Sequence, residues 1–167
     1  MSDYRRVYIE RGMYFFTLVT YQRRPHFANP NNVNLLRDSI RHVRSKRPFD
    51  LFAIVILPDH LHCIWQFSDA DVDYSIRWQM IKTRFTRMSE LPKPVWQPRY
   101  WEHAIRDDDD LRRHLDYIHY NPVKHGYAKA PGDWRWSSFS KFVRQGWYVP
   151  DWGGVVDVKA ILDLNFE

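Results

Sequence analysis

The chain has 167 residues, enough for one compact domain and too few for two ordinary ones. With 44% hydrophobic residues a real core is within reach and wholesale disorder is excluded, while the single cysteine, Cys63, excludes an internal disulfide framework. Lys and Arg number 25 against 20 Asp and Glu, a net charge of +5 that speaks about partners and not about fold.

Residues 1–12 read as a basic arm without the apolar run of a signal peptide, so a cytoplasmic protein is expected. Residues 13–21 are aromatic and β-branched and predict a strand, which Arg23-Arg24-Pro25 ends. Asn29-Pro30-Asn31-Asn32 is a turn and a helix start. Val33, Leu36, Ile40 and Val43 then recur at helical spacing and carry a helix to about Ser45. Beyond Pro48, the apolar run Leu51 to Leu57 predicts a buried strand. Pro58-Asp59 turns the chain into a second strand, His60 to Phe67, completing a hairpin. Asp71 to Asp73 caps a helix in which Ile76, Met80, Ile81 and Phe85 share a face, running to about Met88. After the linker Leu91 to Pro94, a fourth strand is expected within Val95 to Ile105, interrupted near Pro98.

The acidic run Asp107 to Asp110 suits the positive end of a third helix, with Leu111, Leu115 and Ile118 as its buried face. Asn121-Pro122 and Gly126 are expected to end it. A tail from about residue 127 to 167 is aromatic and loop-rich, with Trp134, Trp136, Phe139, Trp147 and Trp152. The order β-α-β-β-α-β-α predicts an α+β, ferredoxin-like fold. That is a four-stranded antiparallel sheet with helices, plus a C-terminal helix and the aromatic tail, in one domain spanning 1–167. No run of 18 apolar residues predicts a membrane span.

Arg provides 18 of the 25 basic residues, and ten of the 25 lie in residues 1–50 against four acidic ones. Guanidinium forks bind two phosphate oxygens at once, and eight Trp offer stacking surfaces. A nucleic-acid surface is one reading. A Trp-rich core under a solvated basic surface is the other.

His60-Leu61-His62 places two imidazoles on one face of a strand beside a tight turn, a metal half-site. Alone, the pattern more often describes two surface histidines, or a core histidine bonded to a backbone carbonyl. Tyr117 and Asn121 are i and i+4 on the third helix, and His114 lies one turn before Tyr117 on the same side. Alone, these describe a packing tyrosine and a helix-end asparagine. Together the motifs specify a reaction. Two imidazoles and an amide oxygen leave positions open for phosphate oxygens and water, which suits Mg²⁺ or Mn²⁺ better than a closed zinc site. A phenol with a pKa near ~10 is a weak nucleophile until a cation polarises the phosphodiester. The products are a 5′-phosphotyrosine link and a free 3′-hydroxyl. No Gly-rich phosphate loop is present.

His60-Leu61-His62 after Leu57-Pro58-Asp59 resembles the His-hydrophobic-His signature of the single-tyrosine HUH transposases. Tyr117-Ile-His-Tyr-Asn-Pro-Val-Lys-His-Gly126 resembles their catalytic-tyrosine helix, with the Tyr-x-x-x-Asn spacing of the REP-associated branch. Trp96 to Arg106 and Tyr4-Arg5-Arg6 are similar to that branch too, so the likeness covers residues 4 to about 153. It implies a ferredoxin-like enzyme acting on single-stranded DNA with REP (repetitive extragenic palindromic) hairpins. Such an enzyme reads a short tetranucleotide at the hairpin foot and cuts or joins strands nearby. It implies His60 and His62 as metal ligands, Asn121 as the third, and Tyr117 as nucleophile. Tyr120, at i+3, is a nearby second phenol and a conceivable substitute, but the motif alignment favours Tyr117. Transposon-borne cousins carry Gln where Asn121 stands.

Tyr4, Arg5 and Arg6 match an arm that meets the hairpin foot, and Arg77, Arg84 and Arg87 form a phosphate-facing stripe on the second helix or else a solvated face. Trp101-Glu102-His103 matches a family motif and is expected to line the cleft; His103 either donates to a phosphate or, like His114, supports the metal ligands from behind. Trp134-Arg135-Trp136 covers the core or stacks on a base. The expected setting is the nucleoid, as a monomer or homodimer. A non-catalytic module that binds single-stranded or hairpin nucleic acid is the alternative. A zinc site of His60, His62 and Cys63 is disfavoured, because Cys63 faces away from both histidines on a strand.

Overall fold

A computed structural model describes residues 11–153 and 159–166, so the Tyr4-Arg5-Arg6 arm lies outside the described residues. The strands are β1 (Met13–Val19), β2 (Asp50–Ile56), β3 (His60–Gln66) and β4 (Trp101–Ala104). The helices are α1 (Pro30–Lys46), α2 (Tyr74–Met88), α3 (Asp108–Lys124), α4 (Phe139–Arg144) and α5 (Lys159–Leu162). All neighbouring strands pair antiparallel in the order β2-β3-β1-β4, which is the expected ferredoxin-like sheet.

Strand alternation builds two cores. Tyr14, Phe16 and Leu18 of β1 and Leu61, Cys63 and Trp65 of β3 face α1 and α2. The side chain of Asn29 accepts from the Asn31 N–H to start α1, with Pro30 in the first turn. The carboxylate of Asp73 likewise caps α2 through the Ile76 N–H. Val33, Leu36, Ile40 and Val43 of α1 and Trp78, Ile81 and Phe85 of α2 then bury their stripes on this face. Trp65 is stacked between Trp78 and Phe49, with ring centroids 4.2 and 3.9 Å away. The opposite face carries Phe15, Ala53, Val55 and Ile64, and α3 covers it with Leu115, Tyr117 and Ile118.

Several expectations are corrected. β1 ends at Val19, because Thr20 bridges to Trp96 and the chain then turns through Gln22 and Arg23 at φ 53° and 50°. The fourth strand is only four residues long. α3 does not stop at Asn121-Pro122 but runs on to Lys124. Proline there removes one N–H near the helix end, and the Pro122 carbonyl still accepts from the Tyr127 and Ala128 N–H groups. Gly126, at φ 73°, then ends the helix as expected. The tail is more ordered than a loop. Trp136–Ser138 lies along the open edge of β2, where Ile56 N–H donates to the Trp136 carbonyl and Ser138 N–H to the Ile54 carbonyl, both at 2.9 Å. Among the described residues no helix is long and apolar enough to cross a membrane.

Candidate active site

His60 and His62 stand on the α3 face of β3, buried, with ring centroids 4.9 Å apart. Cys63 packs into the opposite core, and burial pushes its thiol up, so the zinc arrangement with Cys63 is excluded. The tautomers of the two histidines follow from their partners. The Thr17 hydroxyl gives its one proton to the Phe166 carbonyl at 2.7 Å. It therefore accepts from His62 Nδ1, also at 2.7 Å. His60 Nδ1 lies 2.6 Å from the Asp59 carboxylate. Burial alone would raise the Asp59 carboxyl, but His60 and the Arg23 guanidinium outweigh it and hold the group below its ordinary range. In their neutral form both imidazoles then carry the proton on Nδ1 and leave Nε2 bare, the form that ligates a metal.

Successive turns of α3 face this pair. The Tyr117 ring is 5.1 Å from His62, and the His125 ring is 5.1 Å from His60. Asn121 lies one turn from each, between them. Its carboxamide is fully buried, and neither Oδ1 nor Nδ2 has a hydrogen-bond partner among the described residues. A buried amide left unpaired is costly, so its place in a well-packed helix asks for a ligand. Two imidazole lone pairs and an amide oxygen fit a divalent cation of the Mg²⁺ or Mn²⁺ kind with positions left open.

Tyr117 itself is 0% exposed. Lys124, two turns along α3, donates from Nζ to Tyr117 Oη at 3.4 Å and to the Leu164 carbonyl at 3.1 Å. The Phe166 N–H reaches Oη at 3.5 Å, and the Phe166 ring lies 4.9 Å from the Tyr117 ring. Sequence reasoning missed Thr17, Lys124 and Phe166. The i+7 spacing of Lys124 was a usable signal; Thr17 needs the β1–β3 register, and nothing announced Phe166. Tyr120 packs instead against Trp152, with ring centroids 6.2 Å apart.

His103, Asp110 and His114 are the one group of three or more such residues, among those described, whose ligand atoms lie within 4.8 Å of one another. His103 Nε2, the Asp110 carboxylate and His114 Nδ1 are engaged by hydrogen bonds, while His114 Nε2 is buried without a partner among the described residues. Asp110 Oδ2 accepts from His103 Nε2 at 2.8 Å and from the Arg106 backbone N–H at 3.0 Å, and His114 Nδ1 donates to the Asp110 carbonyl at 2.8 Å. Burial would raise the Asp110 carboxyl, but Arg106 and His103 hold it well below the ordinary carboxylate range. Burial is also the main cause that lowers His114. The trio ties β4 to the start of α3. Phe15 sits beside both histidine groups, 4.7 Å from the His114 ring and 5.6 Å from His62. Ring contacts through Phe15 link His103 and His114, expected as support for the metal ligands, to His62.

Of the expected DNA-facing arginines, Arg77 is withdrawn. It is 1% exposed, and its guanidinium is held by Asp71 at 3.2 Å and by the carbonyls of Arg47, Pro48 and Asp73. Its position explains this, since it lies on the same stripe as the buried Tyr74, Trp78 and Ile81. Arg84 and Arg87 do come together, along a groove of about 450 Å³ between α1 and α2. Trp101 is 51% exposed at the sheet edge. Trp134 donates from Nε1 to the Ile56 carbonyl at 2.9 Å, so it closes the β2 edge.

No protein-family model matches the chain. A REP-associated tyrosine transposase of Escherichia coli K12 is 47% identical over 161 residues, covering 96% of each chain. A relative from Haemophilus influenzae is 43% identical, over 98% of this chain and 100% of its own. Among solved structures, that of a REP-associated tyrosine transposase bound to a REP hairpin matches at TM-score 0.85 and 47% identity, over 94% of both chains.

Proposed function

The chain belongs to the REP-associated tyrosine transposases, and on that premise we propose that it cuts and rejoins single-stranded DNA beside REP hairpins through a covalent bond to Tyr117. The observation that carries this reading is the convergence of the Tyr117 phenol on the His60–His62 pair, with Asn121 on the same helix face. His60, His62 and Asn121 would hold Mg²⁺ or Mn²⁺. When bound, such a cation polarises the phosphodiester and offsets the charge that builds on it.

The chain's own residues do the rest. Lys124, with Nζ donating to Oη at 3.4 Å, holds the phenol oxygen in position. Tyr117 Oη attacks phosphorus, and the bond from phosphorus to the 3′ oxygen breaks. The phenol's proton leaves and the 3′ oxygen takes one up, so the products are a 5′-phosphotyrosine and a 3′-hydroxyl. Attack by a 3′-hydroxyl on the same phosphorus reverses the step and releases Tyr117, with no outside energy source. Tyr4, Arg5, Arg6, Arg84 and Arg87 are assigned to the DNA, and residues 1–167 to one catalytic domain. Chromosomal repeats as substrate place the enzyme in the cytoplasm, at the nucleoid.

The test is a denaturing gel of labelled single-stranded REP hairpin with flanks, incubated with protein and Mn²⁺. A covalent adduct is expected that disappears with Tyr117→Phe, with His60→Ala or His62→Ala, and in EDTA. Hairpin binding by Tyr117→Phe is expected to survive. An adduct persisting in Tyr117→Phe would move the nucleophile to Tyr120. Hairpin binding without any cleavage, across REP sequences from its own genome, would make this a non-catalytic binding module.

A further inference from the structure

On the face of the sheet away from Tyr117, at the β2 edge, a cavity of about 300 Å³ is lined by Arg37, Arg41 and Arg44 of α1 and by Arg135 and Trp136 of the tail. The three α1 arginines are i, i+4 and i+7, so they share one helix face. Arg41 has Asp38 as an ion partner and Arg44 has Asp50 at 4.0 Å. Arg37 and Arg135 are exposed and have no carboxylate partner among the described residues. Both instead lie over the Trp136 ring, at 5.9 and 4.2 Å from its centroid. The indole holds two unneutralised guanidiniums in place, which lowers the entropy lost when they grip an anion.

The geometry points to a seat for the phosphate backbone of the REP hairpin's double-stranded stem, and this rests on the hairpin-cutting function proposed above. The donors are guanidiniums, whose planar forks match the paired oxygens of a phosphate. The one large ring is occupied by arginines, so the cavity offers no free platform on which an unpaired base would stack. A duplex keeps the stacking faces of its bases inside and lines its surface with phosphates, which suits such a cavity. The seat is also connected to the active site. Val55, between the cavity-lining Ile54 and Ile56, faces the other way and pairs with His62. A row of rings, His60, His125, Tyr127 and Trp134, then leads back to Arg135 with successive centroids 5.1, 6.1 and 5.8 Å apart. A stem seated at the arginines would send its single-stranded foot around the β2 edge, along this row.

The test compares wild type with R37Q/R135Q in binding a fluorescent REP hairpin from 50 to 300 mM salt, beside a strand of the same flanks without the stem. The double variant is expected to weaken hairpin binding about tenfold or more at low salt. It should also reduce the slope of log Kd against log salt by roughly 1.8, the share of two phosphates. Affinity for the stemless strand should move less than twofold. Both side chains are exposed, and an unchanged unfolding temperature confirms that the variant folds. Wild-type affinity and slope in the variant would overturn the seat while leaving the hairpin function intact. Equal weakening on the stemless strand would overturn the assignment to the stem. A wild type that binds no hairpin would overturn both this inference and the function on which it rests.

Discussion

With the final segment in place, the Thr17 proton is committed to the Phe166 carbonyl and Thr17 accepts from His62 Nδ1; after that segment leaves, the hydroxyl can still accept from the same nitrogen. Thr17→Val keeps the shape of the side chain and removes the acceptor. His62 is then free to place its proton on Nε2, the nitrogen a metal needs bare. Such partners of metal-bound histidines are commonly worth ~10–100-fold in metal affinity. The variant is expected to need that much more Mn²⁺ for half-maximal adduct formation, with full activity returning at saturating metal. An unchanged Mn²⁺ titration would show that Thr17 only packs. Asn121 poses the converse case. Its carboxamide is buried without a partner among the described residues, at a cost of about 1–3 kcal/mol. Asn121→Ala removes that cost and leaves a small cavity, so the metal-free protein is expected to melt no lower than wild type. The rise in melting temperature that Mn²⁺ gives the wild type should shrink. A metal-free melting temperature several degrees below wild type would mean that the amide is paired within the fold.

At the scale of elements, the final segment is the one in conflict with chemistry. Leu164 and Phe166 meet Lys124 and Tyr117 directly, and Tyr117 is wholly covered. A phosphodiester reaches Oη only after that segment leaves. Deleting residues 164–167 is expected to speed adduct formation on a saturating hairpin several-fold, measured as a single-turnover rate. Equal rates would show that the segment departs fast compared with chemistry. These contacts were illegible in the sequence, because they join residues 40 and 49 apart through a tail with no hydrophobic period. The first three strands, the two packed helices and the shared face of His60 and His62 were legible, since each rests on a period of two or of 3.6 residues. Pro122 misled as a helix terminator because a proline in the last turn costs only one hydrogen bond. Arg77 misled because its charge was weighed above its place on the buried stripe of α2.

At the scale of the molecule, the α3 face is held by a histidine that stays neutral. His119 is fully buried among Phe142, Tyr148 and Phe139, with Nε2 2.9 Å from Ser138 Oγ, so it joins α3 to the segment that closes the β2 edge. Burial, with Arg112 and Lys141 adding to it, lowers its pKa from 6.5 to about 3. Between these two values the unfolded chain takes up a proton that the folded one refuses. Stability is therefore complete above pH 6.5 and falls as pH drops, by roughly 1.4 kcal/mol per unit until about pH 3. Asp110 acts in the same direction, but its window opens only below its ordinary value of 3.8, so it is silent in mild acid. His114, also lowered by burial, adds to the slope in both proteins compared. Denaturant unfolding of metal-free protein at pH 7, 6, 5 and 4.5 measures the effect. Wild type is expected to lose about 2 kcal/mol or more between pH 6.5 and 5. His119→Gln, which keeps a hydrogen-bonding group and cannot charge, should lose about 2 kcal/mol less over the same interval, while starting less stable at pH 7. Parallel curves for the two proteins would mean that His119 takes its proton without unfolding, and that the α3 face opens to water in mild acid.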